Sequence, residues 1–267
     1  MFLKGMTHLA IELEYEKCKN DIVYFAETYC KTDDPSKPGT SIVLLEKKRK
    51  FLKALANNDI HKIIALGYRQ CGKTTLAIIF ALWKMYFFPN SHVVIVSARK
   101  IMASTIYGRL MKMVDNLPEW MNFRLNKKAN ELGRFNNGSK FVSTCSPESL
   151  RGMSVDVLFV DELAYFNSPE KEETIYLNTG VYSYFGKVIY ISSSSKNTGL
   201  FYKTWKLANS VNPCGWVPFE FTILDMAEDV EFFKRWVENV SPSLLAISEN
   251  FRKQEFLNVF LPETSTT

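Results

Sequence analysis

Residues Gly67-Tyr68-Arg69-Gln70-Cys71-Gly72-Lys73-Thr74 decide how this chain is read. They fit the pattern G-x-x-x-x-G-K-[ST] without a mismatch, and Ile63-Ile64-Ala65-Leu66 runs straight into them. Leu76, Ile79, Phe80 and Trp83 follow at helical spacing, so the segment is predicted to join a buried strand to a helix. The physics of that arrangement is anion binding. Glycine lets backbone N–H groups turn inward around phosphate, and the helix N-terminus adds partial positive charge. On this reading residues Gly67 to Thr74, with Thr75, contact a nucleotide. Lys73 reaches the β- and γ-phosphates, and the Thr74 hydroxyl ligates Mg2+. The plain alternative is a strand–turn–helix whose lysine is solvated.

Outward from the loop, short apolar runs recur at Val93-Val94-Ile95-Val96, Val157-Leu158-Phe159-Val160 and Val188-Ile189-Tyr190-Ile191. Each is bounded by polar residues or glycine, as expected of strands buried on both faces of a parallel sheet. Helical patterns at Thr74–Phe87, Ile101–Asn116 and Glu170–Thr179 separate several of them. Alternation of this kind predicts right-handed crossovers and an α/β sandwich. Asn137-Gly138 between two short apolar stretches marks a hairpin. Ahead of the loop, residues 1–40 read as helical and end in the turn-rich DDPSKPGTS (33–41); Val43–Leu55 reads as another helix. Beyond Asn197 come a helix to about Ala208, a strand-like WVPFEFTI (216–223) and two helices separated by Ser241-Pro242.

A nucleotide hydrolase needs a carboxylate near magnesium at the end of a neighbouring strand. Val157-Leu158-Phe159-Val160-Asp161-Glu162 supplies an apolar strand ending in two acids. Ligands of open α/β sheets sit outside such C-terminal ends, where the glycine-rich loop also lies. Asp161 is the candidate magnesium ligand and Glu162 the candidate general base for an attacking water. An apolar strand emerging into solvent would look the same, so this signal gains its weight from the loop upstream. Arg69, inside the loop, and Arg151, in Ser149-Leu150-Arg151-Gly152, are candidates to stabilise transferred phosphate, in cis or from a neighbouring subunit. Either reads equally as a surface arginine or half of an ion pair. The run Ser192-Ser193-Ser194-Ser195 ends another strand and has hydroxyls to sense phosphate or hold water, or is simply a polar loop.

The bulk numbers exclude several classes. With 267 residues, 46% hydrophobic and 23% charged, the chain has material for a core and is not of disordered composition. No apolar run approaches the roughly 20 residues of a membrane span, and the N-terminus lacks the apolar stretch and cleavage site of a signal peptide. Five scattered cysteines without a C-x-x-C pair argue against disulfides or zinc and for a reducing cytoplasm. The net charge of +5, with clusters at Lys47-Lys48-Arg49-Lys50, Arg99-Lys100 and Lys127-Lys128, fits a solvated surface as well as a nucleic-acid footprint.

Taken together, GYRQCGKTT (67–75), SPESLRGMSVDVLFVDELAYF (146–166) and KVIYISSSSKNTGLFYKTW (187–205) resemble the ATPase domain of tailed-phage large terminases over about residues 43–260. The resemblance implies a P-loop NTPase fold of the additional-strand, catalytic-glutamate (ASCE) type with a small C-terminal lid. It implies a helical region over 1–58, an ATPase core over 59–212, a lid over 213–256 and the start of a linker over 257–267. Arg69 would be the cis arginine, Glu162 the catalytic carboxylate and Arg151 a trans-acting finger. Ser192, Ser193 and Ser194 would form the motif coupling hydrolysis to movement, although the family's usual proline is absent. ATP with Mg2+ would power packaging of double-stranded DNA in the host cytoplasm. A ring at the procapsid portal would do this work alongside the portal protein and small terminase subunit, without a membrane; in isolation the chain would be monomeric. The family's adenine-reading glutamine has no counterpart in Leu44-Leu45-Glu46-Lys47-Lys48-Arg49. The family's nuclease domain would begin where this chain stops, so no DNA cleavage is expected of it. The competing readings are a helicase-like ATPase, a nucleotide-binding switch without turnover and a small-molecule kinase.

Overall fold

In the computed structural model, which describes residues 7–32, 39–129, 132–223, 225 and 248–262, eight strands form one sheet. They are β1 (Lys62–Gly67), β2 (His92–Ser97), β3 (Leu125–Ala129), β4 (Leu132–Phe135), β5 (Lys140–Thr144), β6 (Val157–Asp161), β7 (Lys187–Ser192) and β8 (Trp216–Phe221). Their spatial order is β3-β4-β5-β2-β6-β7-β1-β8. Pairs from β5 through β8 are parallel, and the β3–β4–β5 edge is antiparallel. The expected hairpin is the β4–β5 connection, with Gly138 at φ 85° supplying the left-handed turn.

Successive residues of the central strands serve opposite faces, as the period of two requires. Ile63, Ala65, Val93, Ile95, Val157, Phe159, Ile189 and Ile191 enter one core; Ile64, Leu66, Val94, Val96, Leu158, Val160, Val188 and Tyr190 enter the other. The first is covered by α1 (His8–Asn20), α2 (Ile22–Tyr29), α3 (Glu46–Ala56), α4 (Lys73–Phe87) and α5 (Lys100–Asp115). The second lies under α6 (Pro169–Phe185) and α7 (Gly199–Ala208). Burial on both faces explains why these strands read as unbroken apolar runs. Phe159 is fully buried and meets Phe80 of α4 edge-on, with ring centroids 6.0 Å apart. Phe159→Ala is therefore expected to cost about 3–5 kcal/mol of stability in a denaturant titration; a loss below about 1 kcal/mol would contradict this packing.

The N-terminal helices are tied to the core by polar contacts as well. Trp83 Nε1 donates to the Cys18 carbonyl at 2.9 Å, and the hydroxyls of Tyr24 and Tyr29 both donate to Glu14 Oε1 at 2.8 and 2.7 Å. Helix α3 begins three residues later than the sequence pattern suggests, because Leu44 is buried in an extended approach and Leu45 caps the helix in β conformation. Helix α6 continues past the expected end at Thr179 to Phe185. The Thr179 hydroxyl bonds back to the Ile175 carbonyl and to Tyr190, so its polarity is satisfied without ending the helix.

Strand β8 lies beyond residue 213, where the sequence reading begins the lid, and pairs in parallel with β1 over Lys62–Gly67. Phe219 and Phe221 from this strand pack edge-on against Phe51 of α3. The helix expected ahead of Ser241-Pro242 lies outside the described residues; the one after it is α8 (Glu249–Leu257). All five cysteines are free, and among the described residues no helix is long and apolar enough to cross a membrane.

Candidate active site

Strand β1 delivers the chain into the loop at Gly67, and α4 leaves it at Lys73. A Cβ on Gly67 would fall 2.8 Å from Cys71 Sγ and 3.1 Å from Phe221, so only glycine fits under the loop. Gly72, at φ 92°, turns the backbone into the helix, and Gln70 also takes positive φ at 65°. The side chains of Tyr68 and Cys71 are buried in the core, and their N–H groups donate to the Phe221 and Tyr68 carbonyls, which holds the curl of the loop. Lys73 is 5% exposed, and its Nζ donates to the carbonyls of Gly67 and Tyr68 at 2.7 and 3.2 Å. The amine thus lies inside the curl of the loop. A cleft of about 210 Å³ opens beside it, lined by Gln70, Gly72, Lys73, Thr74, Thr75, Arg109 and Glu162. Another cleft, about 270 Å³ and bordered by His61, Asp156 and Lys187, lies at the opposite end of the strands, away from the loop.

Asp161 ends β6 fully inside the protein, and the Thr74 hydroxyl donates to its Oδ1 at 3.1 Å. Burial raises the Asp161 carboxyl well above the usual aspartate range, and the charge of Glu162 adds to the effect. Lys73, the Thr74 hydrogen bond and Arg109 pull it partly back. A cation at this place would relieve the cost of that buried charge. The donor set also fits magnesium. Two hard oxygens 3.1 Å apart are close to the edge of about 2.9 Å expected between neighbouring ligands of an octahedron with bonds of 2.0–2.1 Å. Among the described residues no cluster of three or more His, Cys, Asp or Glu offers a cage, so an ion here would rely on phosphate and water for its other ligands.

Glu162 follows in left-handed conformation at φ 53°, which swings its side chain off the strand axis and into the cleft. Its Oε2 accepts three hydrogen bonds: Ser192 Oγ at 3.1 Å, Ser193 N at 3.1 Å and Ser193 Oγ at 3.2 Å. The Ser192 hydroxyl in turn accepts from Ala164 N at 3.2 Å, which fixes the direction of its own proton. Strand β7 lies between β1 and β6, so its C-terminal serines emerge between loop and acids. Ser194 turns elsewhere: its hydroxyl donates to the Gln254 carbonyl of α8.

The two candidate arginines are placed differently. The Arg69 backbone N–H donates to the Glu255 carbonyl at 2.9 Å, and its guanidinium lies 3.8 Å from Glu255 Oε2. Arg151 is exposed, follows the short 3-10 turn Pro147–Leu150 and does not line the cleft. The structure brings Lys73, Thr74, Asp161, Glu162, Ser192 and Ser193 together; Arg69 sits at the margin on α8, and Arg151 stands apart.

Several participants were not read from the sequence. Arg109, on α5, donates to Thr75 Oγ1 at 2.7 Å and lines the cleft. Lys48 reaches the outside of the loop, 3.7 Å from where a Cβ on Gly72 would lie, and burial lowers its pKa. Its neighbours in the basic run are committed elsewhere, Lys47 to Asp225 and Arg49 to Glu27, both at 2.8 Å. The Tyr165 hydroxyl donates to the Ser194 carbonyl at 2.9 Å and stands 3.5 Å from Glu255 Oε1, joining the serine run to α8. Each of these looks in the sequence like a solvated charge or an ordinary core tyrosine; spacing carries no signal for them.

A mostly parallel sheet with a glycine-lysine loop after β1, an acidic pair at the end of β6 and an extra strand between them defines a P-loop NTPase of the additional-strand, catalytic-glutamate class. Residues 64–242 match the family model described as terminase large subunit, T4likevirus-type, N-terminal, and the chain belongs to that family. Solved structures agree on the fold. The large terminase ATPase domain of Thermus phage P74-26 is 18% identical with TM-score 0.61, over 84% of this chain and 95% of that one. The large terminase of bacteriophage HK97 is 16% identical with TM-score 0.67, over 91% of this chain and 55% of that one. The large terminase of a thermophilic bacteriophage, solved in complex with ADP, is 15% identical with TM-score 0.61, over 82% of this chain and 54% of its own. The chain therefore spans about half the length of the latter two.

Proposed function

We propose that this chain hydrolyses ATP with Mg2+ and uses the energy to move double-stranded viral DNA into a procapsid, as the motor domain of a terminase large subunit. The observation that carries the reading is Glu162, aimed into the loop cleft and held by three hydrogen bonds from Ser192 and Ser193. A protein that only binds nucleotide has no need of a carboxylate positioned in this way. The loop N–H groups and Lys73 hold the phosphates, and Thr74 and Asp161 hold the metal, which when bound offsets charge on the phosphoryl oxygens. Glu162 orients the attacking water and accepts its proton as oxygen closes on the γ-phosphorus. Arg69 assists in cis and Arg151 from a neighbouring copy, and Ser192, Ser193 and Ser194 relay the change to the lid.

In this scheme residues 59–212 are the ATPase core, 213–256 the lid, 1–58 a helical region packed on the core and 257–267 a linker. The partners are duplex DNA, gripped mainly through its phosphates, the portal protein and the small terminase subunit, in the host cytoplasm. The test is phosphate release from ATP and Mg2+ with and without duplex DNA. Turnover that DNA stimulates supports the motor; binding without turnover under both conditions, with the chain assembled on a portal, overturns it in favour of a switch. A narrower expectation concerns the serines. Ser193→Ala removes one of three donors to Glu162 while the backbone N–H remains. It is expected to lower kcat by about tenfold with little change in nucleotide affinity; an unchanged kcat would remove the hydroxyl from the mechanism.

A further inference from the structure

We propose that Arg109 is a further cis cation of this site, one that contacts the terminal phosphate of the bound nucleoside triphosphate. The inference rests on the ATPase reading above and deepens it. Helix α5 buries Ala103, Ile106, Tyr107, Leu110, Met113 and Val114 against the sheet and α4. That packing fixes where the half-buried Arg109, one residue before Leu110, can point. It points at the first turn of α4, where its Nη2 donates to Thr75 Oγ1 at 2.7 Å.

Three observations make this more than a helix-to-helix tie. First, Arg109 lines the same cleft as Gln70, Gly72, Lys73, Thr74 and Glu162, so a nucleotide seated on the loop meets its guanidinium. Second, the hydroxyl it engages belongs to Thr75, the residue next to Thr74, whose own hydroxyl donates to Asp161 at 3.1 Å, so the guanidinium is anchored on the turn of α4 that carries the candidate metal ligand. Third, the cleft needs positive charge. Glu162 lines the place of a polyanion and Asp161 is buried behind Thr74, while Lys73 and Arg109 are the cations among the residues that line the cleft. Arg69 is held 3.8 Å from the Glu255 carboxylate at the margin. A guanidinium presents five N–H donors in a planar fork, a shape that suits contact with both the loop hydroxyl and a phosphate oxygen.

The experiment compares binding of ATP-γ-S and of ADP, each with Mg2+, by calorimetry on the whole chain, and measures ATP turnover. Arg109→Met is expected to weaken ATP-γ-S by about 10- to 100-fold while ADP affinity changes by less than about twofold, with turnover falling in parallel. Arg109→Lys, which keeps the charge but loses the fork, is expected to recover part of the preference for ATP-γ-S. An equal loss for both ligands would overturn the proposal and leave Arg109 as a support for Thr75. So would unchanged binding. If Arg109→Met does not fold, the lysine variant decides alone: the proposal stands if ATP-γ-S weakens selectively and falls if both ligands bind as in the parent chain. Failure of the underlying reading has a separate signature in the parent chain, which would then bind ATP-γ-S without turning over ATP, or bind neither nucleotide.

Discussion

Glu162→Gln is expected to bind ATP within about twofold of the parent chain and to lose turnover by about 10²- to 10⁴-fold. Glutamine keeps one carbonyl oxygen, which can still accept from Ser192 and Ser193, so the side chain retains its place. It loses the ability to take a proton. The deficit corresponds to about 3–5 kcal/mol of barrier and appears in kcat rather than in binding. Phosphate release beside a direct ATP titration checks both halves. Hydrolysis at the parent rate would sink the assignment of Glu162, and loss of binding would make the residue structural.

Lys73→Ala is expected to fail one step earlier. The amine lies within the loop, close to the Gly67 and Tyr68 carbonyls, and is the only charged group contributed by the curl itself apart from the marginal Arg69. Its removal is expected to weaken ATP by about 10- to 100-fold and to abolish measurable turnover. The loop backbone should persist, because Gly67 is wedged under Cys71 and Phe221 whatever stands at residue 73. Calorimetry on the two variants separates their roles: affinity falls with Lys73 and survives with Glu162. ATP bound at parental affinity by Lys73→Ala would contradict the phosphate-loop reading itself.

The fold was legible where burial is symmetric. Strands β1, β2, β6 and β7 are covered on both faces, and each announces itself as a run of apolar residues ending at the site. The antiparallel edge was half legible. Asn137-Gly138 marks the β4–β5 turn, but β3 contains Lys127-Lys128 and reads in the sequence as a basic cluster, without an apolar run to mark it as a strand. Strand β8 was visible as a strand, yet its place beside β1 depends on pairing Lys62 with Trp216, a separation no local pattern encodes. The same holds for the site. The loop and the acidic pair are contiguous motifs. Arg109 and Glu255 act from helices distant in sequence, and on an amphipathic helix one functional charge resembles its solvated neighbours. The run Lys47–Lys50 shows the converse, because chemistry suggested by adjacency is divided among Asp225, Glu27 and the phosphate loop.

The stretch around α8 is also a mechanical element. Leu261 accepts from Asn197 N at 2.7 Å and donates to the Ser195 carbonyl at 3.0 Å, forming a parallel bridge with Lys196 just past β7. Seven residues earlier, the Gln254 carbonyl holds Ser194, and the neighbouring Glu255 carbonyl holds the Arg69 backbone. A pull on the backbone at Leu261 would therefore be shared among these hydrogen bonds, as in a lap joint, and would not peel them one after another. The load path reaches Ser194 and Ser195, which follow directly on the serines that hold Glu162, and the rim of the phosphate loop at Arg69. Tension there and the position of the Glu162 carboxylate are thus mechanically linked, and under the function proposed above an opposing force would act on the geometry of hydrolysis directly.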